Sequence, residues 1–434
     1  MPKAFVLKRI IQTLLLLVMV TGSVAANTYD IDTTRVREPE RPGMTTAEKI
    51  LYGPTKLLQL PFYTLRYTTR GLIWAGYESK PARQIIANIL AERGPIEPAI
   101  SFGGNSGPRV GLRFNFAGLF GTNDRFGAVG QYSWYAYQNY AARYEHPDMF
   151  GKGVGWAING SYDKGRRELF LGVGNNTKPD TDAAFGRESF RVRTDVTMQA
   201  TKWLKLIGGV AYESHNISDG DKDGDIDQLD SIQTVFGLQP EAFRKTRLWS
   251  ADFGFRMDWR NSPGRTTRGG LLGLDVELVQ GINENSDLKF VRIYGDWSQH
   301  FELFKKRVLV FRFMANSIDN TQDESDEAFP FYLLNTLGSE QGLRGYRPDR
   351  FLGREAALAS VEYRYPIWLA LDGLVFFEEG RVFSSFTHDF TFEHWRYSTG
   401  FGIRMVGRYG EIARTILAFS DEGMRFDFSM GMEF

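Results

Sequence analysis

The chain has 434 residues, with 52 Lys and Arg against 52 Asp and Glu, five His and no Cys. Balanced charge offers no bulk basic surface for nucleic acid, and the lack of Cys excludes disulfides and thiolate metal sites within it. Aromatic residues reach 14%, a high share of the residue types that build membrane-interface girdles.

The N-terminus carries Lys3, Lys8 and Arg9, an apolar run over residues 10–20, then Ser23-Val24-Ala25. A charged start, an apolar stretch too short to span a bilayer as a helix and a small-residue cleavage site predict a secretory signal peptide over residues 1–25. No Cys follows it, so lipid anchoring is excluded. Residues 26–95 are expected to form a short N-terminal helical segment on the periplasmic side. Thr45 and Glu48 make a capping box. Ala82, Ile85, Ile86, Ile89 and Leu90 recur at helical spacing after Pro81, as do Phe62, Leu65, Thr69, Leu72 and Ile73. Amphipathic helices on a membrane surface or a barrel rim fit this pattern, and so does a small helical pack with no membrane role.

From about residue 97 the apolar period switches from helical to two. Alternation and turn residues predict strands at 98–103, 109–117, 125–137, 152–162, 167–173, 189–200, 204–213 and 247–259. Further strands are expected at 269–279, 288–300, 306–316, 355–367, 371–383, 395–406, 411–420 and 424–434. The expected fold is all-β: a 16-stranded antiparallel transmembrane β-barrel over residues 96–434, behind the helical segment. Loop lengths sort by side. Asp163-Lys164-Gly165-Arg166, Thr201-Lys202-Trp203 and Phe304-Lys305 read as tight turns on one rim. Residues 174–188, 214–246 and 317–354 read as long loops on the other. A soluble sandwich has no reason to sort its loops by parity.

The first strand is short and holds Gly103 and Gly104 between Pro98 and Pro108. Pro cannot donate to a ladder and Gly weakens one. The last stretch puts Met424, Phe426, Phe428, Met430, Met432 and Phe434 on one face, and Arg425, Asp427, Ser429, Gly431 and Glu433 on the other. That is a strand apolar toward lipid, polar toward a lumen and closed by an aromatic. The last strand carries Gly431 mid-run, so pairing of first with last strand is expected to be the weakest ladder, a lateral seam of Ile100 and Phe102 against Phe428 and Met430, with Gly431 and the terminal Phe434 part of it.

In the fourth long-rim loop, Asp219, Asp221, Asp223, Asp225, Asp227 and Asp230 follow the spacing of the twelve-residue calcium loop, with Gly224 at its sixth position. Against calcium stand the short Asp at the twelfth position and the expected strand flanks. A solvated acidic loop is the other reading. His146, His215, His300, His388 and His394 are the only histidines. Only His388-Asp389 beside Ser384 and Ser385 suggests hydrolytic chemistry, and it lies in a polar loop. The chain is therefore expected not to be an enzyme.

The longest loop carries Leu343-Arg344-Gly345-Tyr346. The next strand carries Val361-Glu362-Tyr363-Arg364-Tyr365-Pro366, and the one after it Phe376-Phe377-Glu378-Glu379-Gly380. With the terminal strand, these closely resemble the BamA/TamA superfamily of outer-membrane barrels, also called bacterial surface antigens. Asp258, Arg260 and Asn261, with Pro263 and Thr267-Arg268-Gly269-Gly270, look like a periplasmic turn of that family. The resemblance implies that the sixth extracellular loop folds into the lumen. There its arginine, here Arg344, would contact acidic residues on the two following strands. Glu362 takes the first acidic position. The second falls on Glu378, where the family pattern is Asp-x-Gly and this chain has Glu-Glu-Gly. Alternation places Glu378, with Asp372, on the inner face. Gly345 is expected to let the backbone turn sharply beside Arg344.

Residues 27–95 are too short for more than one POTRA domain and show no strands, so the chain resembles members lacking them. The family likeness implies insertion or translocation of client outer-membrane or secreted proteins in the outer membrane of a Gram-negative bacterium. Lipid and lipopolysaccharide would surround the barrel. A pore or structural surface antigen without insertase activity is the competing expectation.

Overall fold

A computed structural model describes residues 96–434 apart from 103–106, 120–122, 134, 150–152, 178–182, 222–227, 263, 284–286, 321–327, 340–341, 369–370, 408–409 and 431–434. The signal peptide and helical segment expected over residues 1–95 lie outside the described residues.

Sixteen antiparallel strands close into one barrel. In chain order they begin with β1 (Ile96–Phe102), β2 (Arg109–Ala117), β3 (Arg125–Ser133), β4 (Gln138–His146), β5 (Val154–Phe170) and β6 (Ala183–Gln199). Then come β7 (Leu204–Asp219), β8 (Thr246–Asp258), β9 (Gly269–Gly281), β10 (Lys289–Glu302) and β11 (Val308–Asn320). The loop after β11 holds a separate two-stranded ribbon, β12 (Asn335–Leu337) and β13 (Phe351–Gly353). The wall resumes with β14 (Glu355–Trp368), β15 (Leu371–Phe383), β16 (Arg396–Val406), β17 (Glu411–Ser420) and β18 (Gly423–Met430).

The expected number of strands stands, but two errors in the sequence reading cancel. Strand β4 was missing from it because the turn before β4 carries no glycine: Ala136 takes a left-handed φ of 56° and Ser133 donates its N–H to Tyr137 O at 2.9 Å. The stretches at 152–162 and 167–173 are one continuous strand, β5. Asp163–Arg166 is therefore no turn: the ladder to β6 runs through it and shifts register between Gly165 and Glu168. The short connection at that rim is residues 147–153 instead. Helical signals also do not end at residue 97, since the loop after β7 holds helix α1 (Leu229–Phe236) and a 3-10 turn, Pro240–Phe243.

Alternation divides each strand between two media. On β8, Trp249 and Phe253 are more than half exposed while Leu248 and Ser250 are buried. Met424 and Phe426 on β18 likewise face out. The inner face is lined by arginine–carboxylate pairs. Arg193 forks onto Asp252 at 2.6 and 2.7 Å and touches Asp195. Arg191 meets Glu213 at 2.9 Å, Arg256 meets Asp275 at 2.6 Å and Arg312 meets Asp296 at 2.6 Å. Guanidinium forks satisfy carboxylates at fixed geometry, so such pairs hold a polar lumen in shape. Near the long-loop rim the interior turns apolar. Phe329, Phe331, Leu333 and Leu334 of the β11–β14 loop pack against Ile232 of α1 and against Phe170, Phe185 and Phe290 of the wall. This dome caps the lumen at that end.

Candidate functional site: the loop lock and the seam

The tip of the long loop descends below this dome onto the wall. The chain reverses at Gly342 and Leu343, whose φ values are 137° and 61°. Gly345, expected to supply the turn, has another use: a Cβ there would lie 2.8 Å from Phe419 O and 3.0 Å from the Ser398 Cβ. It permits close approach of the loop to β16 and β17, while Gly342 and Leu343 make the turn. Leu343 is fully buried among Leu337, Leu358 and Phe351.

Close approach sets Arg344 between two strands. Its Nε donates to Glu378 Oε1 at 2.8 Å, its backbone N–H to Glu378 Oε2 at 2.9 Å and its Nη1 to Glu362 Oε2 at 3.0 Å. The guanidinium carbon sits 3.6 Å from the Phe376 ring centroid, a cation–π contact. Ser398 Oγ also donates to Glu378 Oε2 at 2.9 Å, and Arg364 Nε donates to Glu362. Glu379 faces outward and is exposed, so Glu378 is the lumenal acid. On the outer face of β14 Val361 is exposed, and Tyr365, stacked on Tyr363 at 6.0 Å, is 2% exposed.

From Tyr346 of the motif the lock extends to residues outside it. The Tyr346 hydroxyl donates to Asp421, whose other oxygen accepts from Arg396 Nη1 at 2.8 Å. Burial and the Asp421 carboxylate push the Tyr346 phenol above its ordinary range. Ser420 Oγ donates to Gly345 O at 2.9 Å. Arg350 is fully buried. Its Nε donates to Glu422 Oε1 at 2.7 Å, and its two terminal nitrogens donate to Thr177 Oγ1 at 2.6 Å and Thr177 O at 2.7 Å. Asp421 and Glu422 form the turn between β17 and β18, so the loop grips the seam strand by its turn. Arg350 sits in a Tyr-Arg-Pro-Asp-Arg stretch that reads as solvated loop. No sequence signal marks its burial.

At the seam, β1 pairs with β18 through Ile100 with Met430, Ser101 with Ser429 and Phe102 with Phe428. The next ladder, β17 with β18, runs over eight pairs. Gly431 and Phe434 lie outside the described residues. The proposed family turn is built by Asn261, whose Oδ1 accepts the N–H groups of Thr267 and Arg268 at 3.1 Å each. From that turn Arg265 reaches Asp372 on β15, which also accepts from Arg404 at 3.2 Å.

Of the six candidate calcium ligands, Asp223, Asp225 and Asp227 lie outside the described residues. Asp219 Oδ1 accepts the Leu229 N–H at 2.9 Å, Asp221 lies 3.6 Å from Arg166, and Asp230 sits in the first turn of α1. The far flank of the loop is thus a helix where a strand was expected, and no metal cluster occurs among the described residues. His388 is exposed, while Asp389 accepts from Arg381 at 3.3 Å.

The sequence profile of the Omp85 superfamily domain matches residues 118–434, well over half the chain. This protein belongs to the Omp85 superfamily. No curated protein matches it by sequence. Among solved structures, this Omp85 barrel resembles BamA from Haemophilus ducreyi lacking POTRA domains 1–3, with 14% identity and a TM-score of 0.56 over 78% of this chain and 70% of that one. It also resembles CdiB from Escherichia coli, at 11% identity and a TM-score of 0.50, over 78% of this chain and 62% of that one. The chain thus spans less than two thirds of the CdiB structure. These likenesses show the shared barrel fold.

Proposed function

We propose that this Omp85 barrel resides in the outer membrane of a Gram-negative bacterium and inserts or translocates client proteins there, without catalysis. Lipid and lipopolysaccharide would form its surroundings, and a client strand would enter or leave at the β1–β18 seam. The observation that carries this reading is an asymmetry at the seam: the long loop grips the β17–β18 turn through Tyr346 with Asp421 and Arg350 with Glu422, whereas β1 carries Pro98, which has no N–H to donate to a ladder. Each strand–strand hydrogen bond is worth about 0.5–1.5 kcal/mol net, so a strand that lacks a donor parts from its neighbour at lower cost. The loop lock would hold β18 in register while β1 moves.

Cysteines replacing Ile100 and Met430, bridged by a short bis-maleimide, test this reading, since the chain has no Cys of its own. The bridge is expected to abolish insertion of a model barrel into liposomes while leaving heat-modifiable migration intact. Unchanged insertion by the bridged barrel would refute lateral release and favour a pore.

A further inference from the structure

The loop after β15, residues 384–395, folds over the outer wall of the barrel. Pairing of β14 with β15 is regular from Leu371 to Phe383 apart from the bulge between Pro366 and Trp368 at the far end. Phe377, Glu379, Arg381 and Phe383 therefore share the outer face. Phe377 is 45% exposed, yet Arg381 is 7% and Phe383 2% exposed. The loop is what covers them. Arg381 Nη1 donates to Thr391 Oγ1 at 2.5 Å, Thr391 O at 3.2 Å and Glu393 O at 2.9 Å. The Phe386 N–H donates to Glu355, which lies opposite Phe383 on the same outer face. The Phe383 ring packs against Phe386 at 5.0 Å and stacks on Phe390 at 5.6 Å.

A buried guanidinium and an aromatic pile thus clamp this loop to the wall, and what it holds outward is aromatic. Phe390 is 46% and Phe392 85% exposed, their rings edge to face at 5.3 Å. Below them Tyr397 and Phe401, both well exposed on β16, continue the row into the outward apolar band. Displaying Phe392 to water would waste its burial energy, whereas aromatic side chains are favoured at the boundary between headgroups and acyl chains.

We propose that this loop is a membrane foot. Phe390 and Phe392 enter the headgroup–acyl boundary of the leaflet at the long-loop rim and fix the barrel's depth there. Continuity with the apolar band selects lipid as the occupant. The inference rests on the membrane placement above but not on insertase activity.

The test uses the full chain in phospholipid vesicles, with Phe392→Cys or Phe401→Cys carrying a polarity-sensitive fluorophore. Phe401 reports the apolar band and so the membrane placement itself. With a nitroxide lipid labelled at headgroup level, the label at 392 is expected to lose emission, and iodide in the water is expected to leave it unquenched. The label at 401 should respond most to a nitroxide deep in the acyl chain. Quenching at 392 by iodide alone, with 401 still lipid-quenched, would overturn the foot and leave the aromatic tip to a protein partner. Loss of lipid quenching at both positions would overturn the membrane placement, and the foot with it.

Discussion

Replacing Arg344 with alanine takes one guanidinium from two buried carboxylates, and the two do not suffer equally. Glu362 keeps Arg364, whereas Glu378 keeps only the Ser398 hydroxyl and the backbone N–H of residue 344. One carboxylate is left without a charged partner, which costs about 3–5 kcal/mol. Glu378→Ala removes the acceptor for three donors, the Arg344 Nε, the Arg344 backbone N–H and Ser398 Oγ. At about 1–3 kcal/mol per stranded donor, it is expected to be at least as damaging as Arg344→Ala. In a double-mutant cycle the pair should couple by about 2–3 kcal/mol, because either single change already dissolves the contact. Arg344→Lys keeps the charge but cannot fork onto both acids, so it should recover less than half of the loss. Urea unfolding of vesicle-inserted barrel, read by heat-modifiable migration, measures all of these. Additive losses in the Arg344/Glu378 cycle, or a lysine variant as stable as the native chain, would refute the reasoning.

Arg350→Ala should cost about 1–3 kcal/mol by removing a buried side chain that donates to Glu422 and to Thr177, and hydrogen exchange should rise in the β17–β18 turn more than in β8; protection unchanged at that turn would count against the second grip. Gly345→Ala should destabilise by about 1–3 kcal/mol because its Cβ meets Phe419 O at 2.8 Å, while Gly160→Ala, with nothing within 4 Å, should be neutral in the same melt. The raised Tyr346 pKa means that its stabilisation is present below the ordinary tyrosine value of about 10 and is lost as pH rises through the higher folded value. Tyr346→Phe should therefore cost about 1–2 kcal/mol at neutral pH and flatten the alkaline fall in stability, as followed by unfolding above pH 10.

The wall was legible in the sequence because a period of two has one physical cause, an apolar outer face on one side and a polar lumen on the other. It failed where that contrast fades. In β4, Ala141 and Ala142 blur the two faces, and the turn before it uses Ala136 in place of glycine. In β5, Asp163-Lys164-Gly165-Arg166 looks like a turn because four polar or small residues stand in a row. Both sides of that stretch are nonetheless paired, Lys164 with Gln138 and with Glu188. The first contacts of the lock were legible through the motif and the parity that turns Glu362 and Glu378 inward. Arg350, Asp421 and Glu422 were not, since their roles depend on how a long loop folds back, which has no local periodicity.

Energetics then bear on which way a client would travel. Passage along the barrel axis requires the dome to leave. Phe329, Phe331, Leu333 and Leu334 are each almost wholly buried, and at about 1.5–3 kcal/mol per side chain their exposure costs roughly 6–12 kcal/mol. Withdrawing the loop also takes Arg344 from the buried Glu378, adding about 3–5 kcal/mol, and breaks the Arg350 hydrogen bonds. Parting the seam breaks strand–strand hydrogen bonds worth about 0.5–1.5 kcal/mol each in a medium that can replace them. Lipid cannot replace them, and an unpaired backbone group in hydrocarbon costs several kcal/mol. The seam is thus cheap to open only when another strand takes up the freed edge at once. An opening that closes without a client and is stabilised by one is what an insertion factor needs, and an axial pore gains nothing from it. The loop's grip on Asp421 and Glu422 fits the same proposal, because it would keep β18 aligned as the template if β1 gave way.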